Sequence, residues 1–170
     1  DATALPLQAA SVDLVFSNLM LQWCMDPDAV FAESRRVLRP HGLLTFTTLG
    51  PDTLQELREA WRAVDSHTHV HRFIDMHDLG DALLRADFVE PVMDTERLTI
   101  TYADVDSLLR ELKTSGSHNL AHGRARGLGG REKIRRLRER FTGRNREPGL
   151  SVTIEVVYGH AWAARRDRPV

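Results

Sequence analysis

The sequence predicts an α/β fold built around a mainly parallel sheet. Strand-length apolar runs at residues 12–16 and 43–48 alternate with amphipathic helical segments, and the connections between them are short. This alternation is typical of βαβ units, in which the crossover places successive strands parallel. A chain of 170 residues with 42% apolar content is also long enough to bury a sizeable core.

The first helix has clear end signals. Asp26 can cap its amino terminus and Pro27 suits its first position, while Pro40 and Gly42 are expected to end it before the second strand. A second helix is predicted through Leu57 and Trp61, after the turn at residues 50–52.

The second half continues with a helix at residues 76–86 and a strand within residues 88–102, which is rich in β-branched and aromatic side chains. Two helices follow, at 104–114 and 130–141, with a glycine-rich stretch between them. The final run at 152–162 is a strand too long to be a minor edge element. We expect the last two strands to be antiparallel neighbours at one edge.

Composition limits the classes of protein that need consideration. The single cysteine, Cys24, excludes an internal disulfide framework and a multi-cysteine zinc site. The apolar runs are too short to cross a bilayer, and residues 1–8 lack the pattern of a signal peptide, so we expect a cytoplasmic location.

The net charge of −1 conceals a basic segment at residues 113–146, which holds eleven Lys and Arg against two Glu and so carries about +9. Such a segment can be a solvated face, or can contact nucleic acid, a membrane surface or an acidic protein. Phe141 is its only aromatic residue, which gives little support to base stacking with nucleic acid.

The first 23 residues contain the most informative polar positions. Ser17, Asn18, Gln22 and Trp23 follow the first predicted strand, and ligands of open α/β sheets bind at the carboxyl ends of strands. These residues could also form an ordinary turn with a satisfied amide and a packed indole.

The motifs in this part resemble those of class I S-adenosylmethionine-dependent methyltransferases. They read D-A-x-x-L-P-L, then V-D-L-V-F-S-N-L-x-L-Q-W, then V-L-R-P-H-G-L-L. The resemblance implies the carboxyl-terminal part of a Rossmann-like methyltransferase sheet, with an antiparallel last strand and a helical insert. The glycine-rich loop of the family has no counterpart here, so we expect a truncated portion that binds cofactor poorly and is inactive alone.

The same resemblance implies a cofactor-binding set. Asp1 would accept from the adenine amino group and the amide of Ala2 would face the adenine ring. Ser17, Asn18 and Leu19 would lie at the strand end beside the methionine moiety, with Gln22 and Trp23 in the following turn.

More narrowly, the chain resembles the malonyl-acyl-carrier-protein O-methyltransferases of biotin synthesis. The runs that carry this likeness are S-N-L-x-L-Q-W-C, F-T-T-L-G-P-D-T-L-Q-E-L, H-R-F and L-K-x-x-G. A related group, the methyltransferase-like assembly factors of respiratory complex I, shares part of the pattern and acts by binding or by arginine hydroxylation. That group, a nucleic-acid-directed enzyme and a methyltransferase for another small molecule remain alternatives.

The leading interpretation implies attack of a malonyl carboxylate on a sulfonium methyl group, for which no general base is needed because the nucleophile is already ionised. Arg72 is the candidate carboxylate clamp, and Gln22, Trp23 and His71 are expected to line the pocket. Arg72 could equally be a surface residue. Although H-x-H-x-H at residues 67–71 invites a metal interpretation, we expect no metal, because methyl transfer needs none.

We therefore predict three segments: a partial methyltransferase core at residues 1–102, a basic helical lid at 103–150, and the last strand and tail at 151–170. Malonyl-acyl carrier protein is the expected partner of the basic lid, and nucleic acid and membrane are not expected partners. An uncovered apolar strand at residues 12–16 predicts self-association of the chain as given.

Overall fold

The structure is a computed structural model that describes residues 1–67, 69–70, 72–115, 130–142 and 149–165. Its strands are β1 (Val12–Asn18), β2 (Leu38–Leu49), β3 (Phe88–Tyr102) and β4 (Leu150–Ala163). Its α-helices are α1 (Pro27–Val37), α2 (Gln55–Arg62), α3 (Met76–Arg85), α4 (Val105–Thr114) and α5 (Gly130–Thr142), and a 3-10 turn spans Leu21–Trp23.

The strands form one four-stranded sheet in the order β1-β2-β4-β3. β1 and β2 are parallel and are joined through α1, which confirms the predicted βαβ unit. β4 runs antiparallel to β2, with Phe46 opposite Gly159, and lies inside the sheet between β2 and β3. The mixed α/β fold and its late antiparallel strand agree with the sequence-based prediction.

The beginning of β2 differs from the prediction. The turn expected at Pro40 and Gly42 does not precede the strand, because β2 already begins at Leu38. Instead the register jumps from the pair of Val12 with Leu38 to the pair of Leu14 with Leu43, so the intervening residues bulge out of the ladder. His41 has a positive φ of 62° in this bulge.

The helix starts follow from their capping residues. The carboxylate of Asp26 accepts a hydrogen bond from the backbone N–H of Ala29 at 3.0 Å, and Pro27 occupies the first turn of α1. Asp104 caps α4 in the same way through the N–H of Ser107, at 2.7 Å.

The chain packs as two compact units. The first contains residues 1–51, 73–96 and 155–170, and the second contains 52–72 and 97–154. The predicted segments, with boundaries at 102/103 and 150/151, are continuous in sequence, whereas each of these units combines several separate segments. The predicted boundaries stay a prediction.

Each unit has its own core. In the first, Phe31 of α1 and Phe46 of β2 are buried with their rings 5.4 Å apart, together with Leu83 and Phe88. In the second, Leu57 and Trp61 of α2 pack with Leu108 of α4 and Leu137 of α5. No helix in the described residues is long and apolar enough to span a membrane.

Candidate methyl-donor site

A shallow, mainly apolar cavity of about 280 Å³ lies in the first unit, at the carboxyl end of β1. Its lining includes Ala2 and Leu5 of the amino-terminal loop, Ser17 and Asn18 of β1, and Phe31 of α1. The structure therefore brings the two ends of the predicted cofactor-binding set, Ala2 and Ser17 with Asn18, to one cavity.

Asp1 lies in a tight turn next to this cavity. One carboxylate oxygen, Oδ1, accepts from the backbone N–H and from the hydroxyl of Thr3, each at 2.9 Å. Because both of these bonds go to Oδ1, neither of them occupies Oδ2. A carboxylate fixed in this way can accept from an amino group such as the one on adenine.

The end of β1 is held by the neighbouring strand. The N–H of Leu19 donates to the carbonyl oxygen of Thr47 at 3.1 Å and to its hydroxyl at 3.0 Å, and the hydroxyl of Thr47 donates to Oδ1 of Asn18. Leu19 has a positive φ of 47°, so the chain turns sharply at the strand end.

The 3-10 turn after β1 places Gln22 and Trp23. The side-chain amide of Gln22 donates to the carbonyl of Leu19 at 2.6 Å, and its oxygen accepts from the hydroxyl of Thr48 at 3.2 Å. Trp23 is exposed, which leaves its indole accessible to a ligand.

The side chain of Ser17 indicates whether a polar ligand suits the cavity. Its Oγ is buried and, among the residues that the structure describes, has no hydrogen-bond partner. A buried hydroxyl without a partner costs free energy, so a polar group of a ligand in this cavity would relieve that cost. The apolar lining and the polar strand end together suit a nucleoside that carries a polar tail.

Thr47 and Thr48 are site residues that the sequence analysis did not single out. They stand at the end of β2, directly beside β1 in the parallel pair. Two hydroxyl residues at the carboxyl end of the next predicted strand were the available signal, since neighbouring parallel strands end at the same sheet edge.

The predicted acceptor-side residues fall in different parts of the chain, and Gln22 and Trp23 belong to the first unit. Arg72 is exposed and belongs to the second unit, and His71 lies outside the described residues. Their roles, together with those of Gln22 and Trp23 in substrate binding, stay predictions.

The histidines near residue 67 take part in a polar cluster. Asp65 contacts a ring nitrogen of His69 at 2.7 Å and Nζ of Lys133 at 2.8 Å, and the His69 ring stacks on Trp61 with centroids 3.7 Å apart. Burial raises the pKa of Asp65, but hydrogen bonds from Lys133 and His69 outweigh it and leave this pKa well below its usual range. Within the described residues, no three His, Cys, Asp or Glu side chains form a metal-binding group.

Most guanidinium groups of the described part of α5 have acidic partners. Arg135 contacts Glu132 at 2.7 Å and Glu139 at 2.9 Å, Arg136 contacts Glu132 at 3.0 Å, and Arg138 contacts Asp106 at 2.7 Å. Arg140 is exposed and forms no ion pair with any described residue. These pairs leave fewer unpaired guanidinium groups on this helix for a partner to contact.

Comparison with solved structures identifies the fold. The fold matches the YcgJ protein of Bacillus subtilis with a TM-score of 0.62 at 14% identity, covering 96% of this chain and 69% of that one. A candidate methyltransferase of Bacillus halodurans C-125 gives a TM-score of 0.61 at 16% identity, covering 97% and 70%. Residues 1–46 match the methyltransferase domain family. The described residues have the mixed α/β fold of Rossmann-like methyltransferases, as the sequence predicted.

Comparison with curated proteins is more specific. The chain is 54% identical over 162 residues to the malonyl-[acyl-carrier protein] O-methyltransferase of Methylovorus sp. strain MP688, covering 95% of this chain and 55% of that protein. It is 54% identical over 170 residues to the protein of the same name from Laribacter hongkongensis, covering 99% and 57%. The chain thus spans little more than half the length of these relatives, and its resemblance to this group of methyltransferases is confirmed.

Proposed function

We propose that this chain is part of an enzyme that transfers a methyl group from S-adenosylmethionine to the free carboxylate of malonyl-acyl carrier protein, in biotin synthesis. The observation that carries the proposal is the 54% identity to malonyl-[acyl-carrier protein] O-methyltransferases over 95% or more of the chain. The cavity at the end of β1 supports it, because its polar and apolar residues fit a nucleoside donor.

The chain's own residues supply the binding side of the reaction. Asp1 and Ala2 would hold the adenine, while Ser17, Asn18 and Leu19 would hold the polar tail at the strand end. S-adenosylmethionine, when bound, supplies an electrophilic methyl group on a sulfonium. The mainly apolar lining beside Phe31 suits the face of the adenine ring.

On the acceptor side, we propose that Arg72 pairs with the malonyl carboxylate and that Gln22, Trp23 and His71 line its pocket. A carboxylate is fully ionised near pH 7, so the protein needs to orient and desolvate it rather than deprotonate it. A guanidinium suits this task because it binds both carboxylate oxygens at once.

We propose that malonyl-acyl carrier protein docks on the basic insert, and that Arg140 is an important contact. Acyl carrier proteins are strongly acidic, and complementary charge raises the rate of encounter. Arg140 supports this better than Arg135 or Arg138, since those two already contact glutamate or aspartate within the chain.

A chimera tests the function. This chain would replace the matching part of the Laribacter hongkongensis relative, and transfer of labelled methyl to malonyl-acyl carrier protein would be measured. We expect transfer to the malonyl form and none to the acetyl form, which has no free carboxylate. A folded chimera that binds S-adenosylmethionine but leaves malonyl-acyl carrier protein unmethylated would overturn the proposal.

The docking proposal is tested in the same chimera with Arg140→Glu. Methylation of malonyl-acyl carrier protein should slow several-fold at low salt and recover towards the parent rate as salt screens the charge. Methylation of a small malonyl thioester should stay unchanged. An equal loss on both substrates would contradict docking through Arg140.

A further inference from the structure

The loop at residues 5–7 is fastened to α1 by one charged pair. Oε1 of Glu33 accepts from the backbone N–H of Leu5 at 2.7 Å. Arg36 donates through Nη2 to the carbonyl of Leu5 at 3.2 Å and to that of Leu7 at 2.9 Å. Glu33 and Arg36 also bind each other through two contacts of 2.7 Å.

This arrangement differs from an ordinary surface ion pair along a helix, which contributes little. The Glu33 side chain is only 11% exposed. The backbone N–H of Leu5 is bonded to Glu33 and its carbonyl is bonded to Arg36. Pro6 between the anchored residues has no N–H and a fixed φ, so few other conformations connect the same anchors. Leu5 is 28 positions from Glu33 and 31 positions from Arg36 in the sequence, so these bonds are tertiary contacts.

The anchored loop continues directly into the candidate adenine site. Ala2 and Leu5 both line the cavity, and the N–H of Ala4 donates to the carbonyl of Asp1 at 3.2 Å. The turn formed by Asp1 and Thr3 therefore stands immediately before the fastened residue. A loop released at Leu5 would let Asp1 and Ala2 move away from the cavity.

We propose that Glu33 and Arg36 are positioning residues for the adenine of the methyl donor, acting through Leu5 on Asp1 and Ala2. The inference rests on the proposed function for the identity of the ligand. The fastening of the loop itself rests on the contacts alone.

α1 offers a matched control. Asp28 lies on the same helix and contacts Arg85 of α3 at 2.8 Å, in an exposed ion pair that does not touch the loop. Asp28→Ala therefore removes a charged pair from α1 and leaves the loop contacts intact. Glu33→Gln is the conservative variant, because its amide oxygen can still accept from Leu5.

The first measurement is amide hydrogen exchange of the chain. Glu33→Ala should raise exchange at Leu5 about tenfold or more, since the Leu5 N–H then loses its hydrogen bond to a charged group. Exchange should also rise at the other N–H groups of residues 2–7, a range in which Pro6 has none. Exchange in α3 and β4 should stay unchanged. Glu33→Gln should have a smaller effect and Asp28→Ala none. Unchanged exchange at Leu5 in Glu33→Ala would overturn the proposal whatever the ligand.

The second measurement is titration with adenosine at millimolar concentration, followed by amide chemical shifts of residues 1–7 and 17–19. We expect shifts in the parent and in Asp28→Ala, and at least tenfold weaker binding in Glu33→Ala with partial recovery in Glu33→Gln. Equal binding in parent and Glu33→Ala would refute the positioning role and leave the proposed function intact. Absence of any shift in the parent would contradict both the adenine site and its positioning.

Discussion

Replacement of Arg35 by methionine tests which contacts hold the end of β4 to α1. Arg35 is 4% exposed although it carries a charge. Its Nε donates to the carbonyl of Asp87 at 3.0 Å and its Nη2 to the carbonyl of Ala164 at 2.6 Å, while the Asp87 carboxylate lies 3.3 Å away. Methionine retains an aliphatic stem in the same space but donates no hydrogen bond.

The two hydrogen bonds to carbonyls should dominate the loss. Each bond from a charged donor contributes about 1.5–3 kcal/mol, so Arg35→Met should lower the free energy of unfolding by about 3–6 kcal/mol. The Asp87 carboxylate is 67% exposed, and an ion pair to such a group contributes at most about 1 kcal/mol. Asp87→Asn should therefore change the free energy of unfolding by less than that.

Urea unfolding followed by circular dichroism measures both variants. A protein of this kind has a free energy of unfolding of about 5–15 kcal/mol, so the loss in Arg35→Met is measurable or abolishes folding. If Arg35→Met does not fold, Arg35→Lys, which keeps the charge, should show an intermediate loss. Comparable losses in Asp87→Asn and Arg35→Met would show that the ion pair dominates and would refute this reasoning.

Three further predictions follow from single contacts. A Cβ at residue 159 would overlap the Phe46 ring, so Gly159→Ala should lower the free energy of unfolding by about 1–3 kcal/mol in urea titrations. A Cβ at residue 80, inside α3, meets no atom within 4 Å. Gly80→Ala should therefore raise the free energy of unfolding by about 0.5–1 kcal/mol. Hydrogen bonds from Arg36 lower the pKa of Glu33 to about 2, so its stabilising contribution is complete above the ordinary pKa of a glutamate and is lost as the pH falls towards 2. The amide shift of Leu5 should accordingly titrate with a midpoint near pH 2, and a midpoint near 4.5 would contradict the loop contact. Phe16 is 68% exposed on the edge strand β1, so light scattering should find oligomers of this chain. Phe16→Lys should favour the monomer. A parent chain that is monomeric at high concentration would disprove the association.

Elements with local signals were predictable from the sequence. Asp26 and Pro27 mark the start of α1 because capping and proline geometry act over a few residues. The start of β2 was not predictable, since Pro40 and Gly42 have the same local preferences in a turn as in a bulge. Only the pairing with β1 decides between the two.

The donor side of the candidate site was more accessible to sequence reasoning than the acceptor side. Asn18 and Gln22 belong to a strand and the turn that follows it, so the carboxyl end of a single strand locates them. Asp1 lies in the loop before β1, and only the family resemblance points to it. Glu33 carries no such signal, because helix periodicity places a glutamate on a face without saying which backbone group it meets. The contact with Leu5 depends on how α1 packs, 28 residues further along the chain.

Charge counting shows the same limit in the basic segment. The sequence gives about +9 between residues 113 and 146, which suggests a strong field for an acidic partner. In α5, however, Arg135 and Arg136 lie one turn from Glu132, and Arg138 reaches Asp106 of α4, 32 positions away. The first two pairs can be read from helical spacing, whereas the third requires the packing of α4 against α5. Because paired guanidinium groups give a partner less free charge, the attraction of α5 for an acidic protein depends on residues such as Arg140 more than on the total count.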